Sequence, residues 1–308
     1  MVVKSVKPKG RRERIKEFFG REQIVKIAIP KGHLEETSVK LLQDAGIGAI
    51  GRDGRQLFAK TNDPGIELVF VRAEDIPDFV ARGSTDLGIT GYDLMCERGA
   101  DVKELLNLFY GLTQMVVAAS EKSGIKTVQD IKTGARVATE FPNITKEYFT
   151  ERGIEIELVD VTGAAEISPL IGLADLIVDV TSTGTTLRAH GLKIIDTILE
   201  STARLVANRQ SLREKKAKIE DIVTAVNSVV KARGKKLVLM NVPEDNLEKI
   251  KQVMPGMAGP TVSRVEAAEP MLAIQAVVDE AEVYNVVKRA KLAGARDILV
   301  IPIERVLP

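Results

Sequence analysis

The alternation of apolar and polar positions predicts a chain of short strands and helices. Two runs rich in β-branched residues, at 24–30 and 66–71, are each followed by a polar turn and then by helical spacing of apolar residues. Strands that alternate with helices are typical of α/β proteins with largely parallel sheets. The same pattern predicts strands at 85–93, 112–119, 135–139, 156–159, 176–178 and 197–208, and helices at 35–45, 78–82, 128–132, 144–152 and 210–231.

A different order of elements follows Gly234. Four apolar runs and two helical patterns alternate there as βαββαβ, which is the ferredoxin-like plan. We therefore expect a separate small domain at 234–308. Its strands are predicted at 236–242, 260–264, 271–278 and 297–303, and its helices at 244–253 and 280–293.

Two stretches before this domain resemble each other. TDLGITGYD at 85–93 and ADLIVD at 174–179 both place Asp-Leu before an apolar run that leads to a polar turn. This similarity predicts two similar lobes that face one cleft, a first lobe at 23–113 and 205–233 and a second at 114–204. Open α/β sheets bind ligands beyond the carboxyl ends of their strands, so the turns that end these strands are expected to line the cleft.

The turn after the apolar run 176–178 has the composition of a phosphate site. Asp179 is predicted at the carboxyl end of the strand, where a carboxylate accepts hydrogen bonds from ribose hydroxyls. Backbone N–H groups and hydroxyls at a helix N-terminus favour an anion, although plain helix caps share this composition. The predicted 5-phosphate loop consists of Thr181, Ser182, Thr183, Gly184, Thr185 and Thr186.

Three turns of the first lobe supply further candidates. Lys31, which precedes Gly32, is either an exposed turn lysine or a contact to a phosphate. A buried guanidinium at Arg72 would need an anion, either a neighbouring carboxylate at 74–75 or a ligand's phosphate. The third strand ends at Thr90, Gly91 and Tyr92, and Tyr92 either contacts a base or packs at the cleft edge.

Composition limits the remaining classes. The chain has 308 residues, 44% of them hydrophobic, and a formal net charge of +1, so no global field favours nucleic acid or a membrane. The single cysteine, Cys96, and the two histidines make a structural zinc site improbable. No apolar run approaches a membrane span, and the predicted location is cytoplasmic. Residues 1–22 carry eight basic and three acidic side chains and are expected to be a basic extension.

The stretch 166–187 fits a ten-position signature. Its order is E, five residues, G-x-[SAG], two residues, [IV]-x-D-[LIV], two residues, [ST]-G-x-T-[LM]. All ten positions match, which resembles the pattern of ATP phosphoribosyltransferases. The matching residues are Glu166, Gly172, Ala174, Ile177, Asp179, Val180, Thr183, Gly184, Thr186 and Leu187.

The resemblance extends from about 24 to 307 and implies a fold and a reaction. It implies a two-lobed catalytic part like that of periplasmic binding proteins, followed by an ACT-like regulatory domain. It also implies transfer of the phosphoribosyl group of phosphoribosyl pyrophosphate to ring nitrogen 1 of ATP with Mg²⁺. Asp179 and Glu166 would be catalytic, while Lys31, Gly32, Arg72 and the turn 90–92 would bind ATP or pyrophosphate. Glu166 is equally suited to cap its own helix.

The resemblance further implies a homo-oligomer, dimer or hexamer, that histidine inhibits through the C-terminal domain. The turn-rich link 254–261 and the turn at Gly294 suggest an effector pocket that includes Met257, Thr261 and Ala295. Asn241 stands where an acidic group was expected to meet the effector's amine.

Three other classes compete with this interpretation. A two-lobed small-molecule-binding protein would share the fold, since fold alone does not decide function. An ordinary purine or orotate phosphoribosyltransferase would carry two adjacent acidic residues before its phosphate loop, whereas Val178 precedes Asp179 here. A catalytically silent regulatory paralogue would keep the fold, and the intact signature argues against it.

Overall fold

The computed structural model describes residues 24–51, 54, 56–254 and 259–307. These residues form two compact units, one that ends at Val223 and one that begins at Thr224. The basic extension predicted at 1–22 lies outside the described residues. No helix in the described ranges is both long and apolar enough to cross a bilayer.

A seven-stranded sheet forms one half of the first unit. Its central strands bury β-branched side chains completely, as Ile27 and Ile29 show. The strands are β1 (Val25–Pro30), β2 (Ala49–Ile50), β3 (Phe58–Thr61), β4 (Ile66–Val71), β5 (Leu87–Gly91), β6 (Lys103–Asn107) and β12 (Ala203–Ala207), and the helices are α1 (Glu35–Asp44), α2 (Ile76–Ala81) and α3 (Tyr92–Arg98). The strand order is β2-β3-β4-β1-β5-β12-β6.

A five-stranded sheet forms the other half. Its strands are β7 (Thr113–Ser120), β8 (Ala135–Thr139), β9 (Ile156–Asp160), β10 (Leu176–Thr181) and β11 (Leu192–Ser201), and its helices are α4 (Pro142–Glu151) and α5 (Thr185–Ala189). The strand order is β11-β7-β10-β8-β9. One face of this sheet buries Phe149 and Tyr148 of α4 in a core with Val117, Val137 and Val178.

Both sheets contain the same five-strand arrangement. In β4-β1-β5-β12-β6 and in β9-β8-β10-β7-β11, the fourth strand is antiparallel to its neighbours and the other four run parallel to one another. Equivalent carboxylates also make equivalent bonds: Lys26 N donates to Asp86 over 2.8 Å, and Arg136 N donates to Asp175 over 2.9 Å. The prediction of two similar α/β lobes is confirmed.

Several predicted elements differ from the structure. The single strand predicted at 197–208 is two strands in different sheets, β11 and β12, separated only by Thr202. No Gly or Pro marks the passage from one sheet to the other. Ser201 and Ala203 are both buried, so the alternation typical of a strand continues across Thr202. The helix predicted at 210–231 is divided at Lys215 into α6 (Arg209–Glu214) and α7 (Lys216–Ala232), and the helix predicted at 128–132 is a 3-10 turn.

The second unit has the predicted ferredoxin-like order. Its elements are β13 (Lys235–Pro243), α8 (Leu247–Val253), β14 (Thr261–Val265), β15 (Met271–Asp279), α9 (Val283–Leu292) and β16 (Arg296–Pro302). They form an antiparallel sheet of order β14-β15-β13-β16. Val238, Met240 and Ile274 meet Ile250 of α8 and Val286 of α9 in one apolar core. The predicted ferredoxin-like unit is confirmed.

Candidate active site

Asp179 lies inside strand β10 and not at its end, because the strand continues to Thr181. The first three residues of β10 are buried and the last three, beginning with Asp179, are half-buried; Val180 N donates to Asp179 Oδ1 over 2.7 Å. Burial raises the pKa of Asp179 to about 6, and the negative charges of Glu140 and Glu166 act in the same direction. The group is therefore mostly an anion at neutral pH and about half protonated near pH 6.

Glu140 is a candidate site residue that the sequence analysis missed. Thr139, the last residue of β8, pairs with Val178 of the parallel neighbour β10, so Glu140 emerges beside Asp179. Its Oε1 lies 3.6 Å from the position that a Cβ would occupy on Gly163, which has a φ of +85°. The available signal was its place at a strand's carboxyl end, which is also the signal that selected Asp179.

Glu166 lies in a short 3-10 turn, Ala165–Ile167, and not at the start of a longer helix. Its side chain is half-buried, and its negative charge contributes to the raised pKa of Asp179. The turn has no side-chain cap. Helix capping by Glu166 is therefore not observed, and a role toward Asp179 stays a prediction.

The loop after β10 is held by its own hydroxyls. Gly184 N donates to Thr181 Oγ1 over 2.9 Å, and the hydroxyls of Thr183 and Thr185 are 2.8 Å apart. Gly184 has a φ of +68°, and a Cβ there would lie 3.1 Å from Arg188 Nη1. Among the described residues, no acceptor takes a hydrogen bond from the backbone N–H groups of Ser182, Thr183, Thr185 or Thr186. The loop thus presents several free donors together.

The basic candidates of the seven-stranded sheet lie at the carboxyl ends of neighbouring strands. Lys31 follows β1 and is half-buried, and its backbone N–H donates to Val71 O over 2.8 Å. Arg72 follows β4 but is exposed and pairs with no carboxylate in the part of the chain that the structure describes. The Arg72 guanidinium is therefore not buried, and of the two alternatives a carboxylate partner at 74–75 is not observed, whereas a ligand's phosphate stays a prediction. The side chain extends into solvent because it follows the last residue of the strand, beyond the packed part of the sheet.

Thr90 and Gly91 end β5 and are fully buried, whereas Tyr92 begins α3 and is half-buried. The Arg204 guanidinium lies 5.0 Å from the Tyr92 ring centroid. A hydrogen bond with Cys96 is the main cause of a raised Tyr92 pKa. These are packing contacts, and a contact between Tyr92 and a base stays a prediction.

A magnesium site formed by protein side chains is not found among the residues that the structure describes. Within the described ranges, no group of three or more His, Cys, Asp or Glu side chains is arranged to hold a metal. The negative charges of Glu140 and Glu166 raise the pKa of Asp179, but the three carboxylates do not form such a group. That a magnesium ion reaches the site mainly on substrate phosphates stays a prediction.

The predicted effector residues have different surroundings in the second unit. Met257 lies outside the described residues, Thr261 is exposed at the start of β14, and Ala295 is buried in the apolar core. A cavity of about 280 Å³ lies elsewhere, on the open face of the sheet, where Asn241 Nδ2 donates to Asp297 Oδ2 over 3.0 Å. Ser263 and Gln275 also line it. Asp297 thus places an acidic side chain beside Asn241, a contact that the sequence analysis missed.

Two family models match consecutive parts of the chain, and a solved structure resembles its first part. Residues 72–228 match the family model described as ATP phosphoribosyltransferase, and residues 232–305 match that described as HisG, C-terminal domain. A chain in the ATP phosphoribosyl transferase (HisG:HisZ) complex from Thermotoga maritima superimposes with a TM-score of 0.59 and 30% identity, covering 66% of this chain and 99% of that chain.

Two curated relatives named ATP phosphoribosyltransferase match nearly end to end. The protein of Methanothermobacter thermautotrophicus is 52% identical over 92% of this chain and 99% of its own length. That of Methanocaldococcus jannaschii is 50% identical over 92% of this chain and 100% of its own length. With the intact signature on β10 and its loop, these matches show that the chain belongs to the ATP phosphoribosyltransferases, the pentosyltransferases that catalyse the first step of histidine biosynthesis.

Proposed function

We propose that the chain transfers the phosphoribosyl group of phosphoribosyl pyrophosphate to ring nitrogen 1 of ATP's adenine, and that the first unit carries the site. The observation that carries this proposal is the half-buried Asp179 directly before a loop with free backbone donors and hydroxyls. A carboxylate next to an anion-binding loop matches a ribose joined to a phosphate.

Asp179 accepts hydrogen bonds from the ribose hydroxyls and holds the sugar in the orientation for attack. Adenine attacks with its own lone pair, so no nucleophilic side chain is required. Positive charge develops at the anomeric carbon, and the negative charges of Asp179, Glu140 and Glu166 stabilise it. The chemistry therefore depends on positioning and charge.

The loop 181–186 binds the 5-phosphate through its free N–H groups and hydroxyls. Lys31 and the exposed Arg72 lie at the carboxyl ends of adjacent strands, and both have a side chain available for the pyrophosphate or the triphosphate. Gly32, Thr90, Gly91 and Tyr92 form the turns on the ATP side. A magnesium ion bound to the substrate phosphates would supply further positive charge beside the departing pyrophosphate.

The attacking nitrogen is tested with paired nucleotides. ATP is expected to give a phosphoribosylated product and pyrophosphate, whereas 1-deaza-ATP, which lacks ring nitrogen 1, is expected to give neither. Mass spectrometry identifies the product. Equal reaction of both nucleotides would place the new bond on another atom and contradict the proposal.

Gly184→Ala is expected to weaken phosphoribosyl pyrophosphate binding. The added Cβ meets Arg188 and Ile194, and the left-handed φ of +68° disfavours alanine. A penalty of about 1–2 kcal/mol corresponds to a roughly 5- to 30-fold rise in KM. Gly191→Ala is the matched control, because Gly191 has a φ of +66° but no atom within 4 Å of its Cβ position. Equal KM values for the two variants would remove the loop from the phosphate site.

The proposed function also includes inhibition by histidine. We place the histidine site in the cavity on the open face of the sheet of the second unit. Asp297 and Asn241, joined over 3.0 Å, offer an acceptor to an ammonium group and a donor to a carboxylate. The cavity of about 280 Å³ suits a molecule the size of an amino acid. The proposal also includes assembly of the chain into a hexamer and a location in the cytoplasm.

Asp297→Asn is expected to raise the histidine concentration for half-inhibition by roughly tenfold or more, since a hydrogen bond to a charged group contributes about 1.5–3 kcal/mol. Turnover without histidine should not change. Asp279→Asn is the control, because Asp279 lies on the same sheet but pairs with Lys235 at the surface. Unchanged inhibition in Asp297→Asn would exclude this cavity as the histidine site.

A further inference from the structure

Helix α3 lies between the two sheets of the first unit. Met95 packs against the core of the seven-stranded sheet, with Ile76 and Val80. Its neighbours Leu94 and Cys96 pack against the core of the five-stranded sheet instead. One short helix thus contributes side chains to both cores and contacts both halves of the unit.

Glu97, near the end of α3, bonds to the first turn of α4 in the other half. Its Oε1 accepts from Asn143 N and its Oε2 from Ile144 N, each over 3.0 Å. In return, Asn143 Nδ2 donates to Glu97 O over 3.0 Å. Glu97 is only 8% exposed, so these bonds lie largely out of solvent. We call this set of three bonds the Glu97 clamp.

The local sequence leaves the start of α4 without a cap of its own. Phe141 occupies the N-cap position and has no side-chain oxygen, and Pro142 follows it. The N–H groups of the next two residues are those that a capping side chain normally satisfies. Glu97 satisfies both from another helix, and its negative charge suits a helix N-terminus.

The clamp joins the two edges of the proposed site. Helix α3 begins at Tyr92, directly after Thr90 and Gly91 at the end of β5. Helix α4 begins two residues after Glu140, which directly follows β8, the parallel neighbour of the strand β10 that contains Asp179. A second contact supports α3, since Asp93 N donates to Ser201 Oγ over 3.0 Å.

We propose that Glu97 is a positioning residue that fixes the separation between the ATP side and the phosphoribosyl side of the site. This inference rests on the proposed function. Each side keeps its own binding residues without the clamp, so loss of the clamp impairs alignment of two bound substrates and not the binding of either one.

Glu97→Ala tests this separation of effects. The expected result is a roughly 10²-fold lower kcat, because a misplacement of about 1 Å costs that much. Dissociation constants for ATP alone and phosphoribosyl pyrophosphate alone, measured by calorimetry, should stay within about threefold. Asp101→Ala is the control: it removes a nearby carboxylate, paired with Arg209 over 2.6 Å at the surface, and should leave kcat unchanged.

Asn143→Ala provides a second variant in case Glu97→Ala does not fold. It removes one bond of the clamp and keeps the backbone contacts, so we expect a several-fold fall in kcat with binding of each substrate intact. Unchanged kcat in both variants overturns the proposal. So does a loss of binding that accounts for the whole fall in kcat, because Glu97 would then act within one half only.

A readout without turnover separates the clamp from the proposed reaction. Hydrogen exchange followed by mass spectrometry should show that Glu97→Ala speeds exchange in both α3 and the first turn of α4, whereas Asp101→Ala does not. If the wild-type chain shows no turnover, the proposed function fails while this exchange result still decides on the clamp. Unchanged exchange in the two helices of Glu97→Ala would contradict the proposed role of the Glu97 clamp.

Discussion

Asp179→Asn is expected to lower turnover by roughly 10²-fold or more, as loss of a preorganised charged contact does. The carboxylate of Asp179 accepts two ribose hydroxyls at once in the proposed site, whereas an asparagine offers one oxygen and an NH₂ group in place of the second acceptor. Steady-state kinetics of the purified variant measures the effect. Near-normal turnover would remove Asp179 from the site.

The same variant is expected to be more stable than the wild type at neutral pH. The pKa of Asp179 is about 6 in the folded chain, against 3.8 for an aspartate that is free in water, so folding favours the protonated form. Its stabilising contribution is complete below pH 3.8 and is lost as pH rises through 6. At pH 7.5 the ionised group therefore costs about 1–3 kcal/mol, which asparagine removes. Urea unfolding of both proteins at that pH measures this gain, and a loss of stability would contradict it.

Ionisation of Asp179, which lowers the stability of the folded chain, should raise its enzyme activity. Only the carboxylate form accepts both ribose hydroxyls, so kcat/KM should fall as pH drops through about 6. Glu140→Gln removes one of the negative charges that raise the pKa of Asp179, and it should move this acid limb to lower pH. An unmoved limb would mean that Glu140 does not act on Asp179.

Asp86→Ala is expected to lower the free energy of unfolding by about 3–5 kcal/mol, because it leaves a largely buried cation without its partner. Lys215 Nζ lies 2.8 Å from the Asp86 carboxylate, whose side chain is 7% exposed. Ser211 Oγ donates to the same carboxylate over 2.6 Å, and Lys26 N over 2.8 Å. These bonds hold the junction of α6 and α7 against the base of the seven-stranded sheet.

The internal repeat supplies a matched control for this variant. Asp175 is the equivalent residue of the five-stranded sheet, but its pair with Arg136 is exposed, 45% and 39% for the two side chains. Asp175→Ala should therefore cost only about 1 kcal/mol. Urea unfolding of both variants measures the difference, and equal losses would show that burial of the Asp86 bonds contributes nothing.

Most strands were predictable because their apolar runs are short, β-branched and bounded by turns. The repeat was visible as well, since Asp86-Leu87 and Asp175-Leu176 precede equivalent strands β5 and β10. The change of sheet at Thr202 was not predictable, because two strands separated by one ordinary residue look like one strand. The break at Lys215 depends on a distant partner, Asp86, that a local pattern does not contain.

Sequence alone could indicate the candidate site only where one short stretch contains its residues. Asp179 and its loop are contiguous, so their residue types indicate a sugar-phosphate ligand without a structure. Glu140 and Asp297 act across a sheet, beside Asp179 and Asn241 respectively, and only strand pairing brings each to its partner. The exposure of Arg72 likewise depends on which neighbours the fold places around it.

The most direct measurement is the absorbance change when the purified chain is mixed with ATP, phosphoribosyl pyrophosphate and magnesium, with pyrophosphatase present to remove pyrophosphate. The proposed function predicts steady formation of phosphoribosyl-ATP and its suppression by added histidine. Formation without suppression would keep the enzyme and discard histidine regulation. No product, although each substrate binds, would contradict the central claim and favour a catalytically silent regulatory protein.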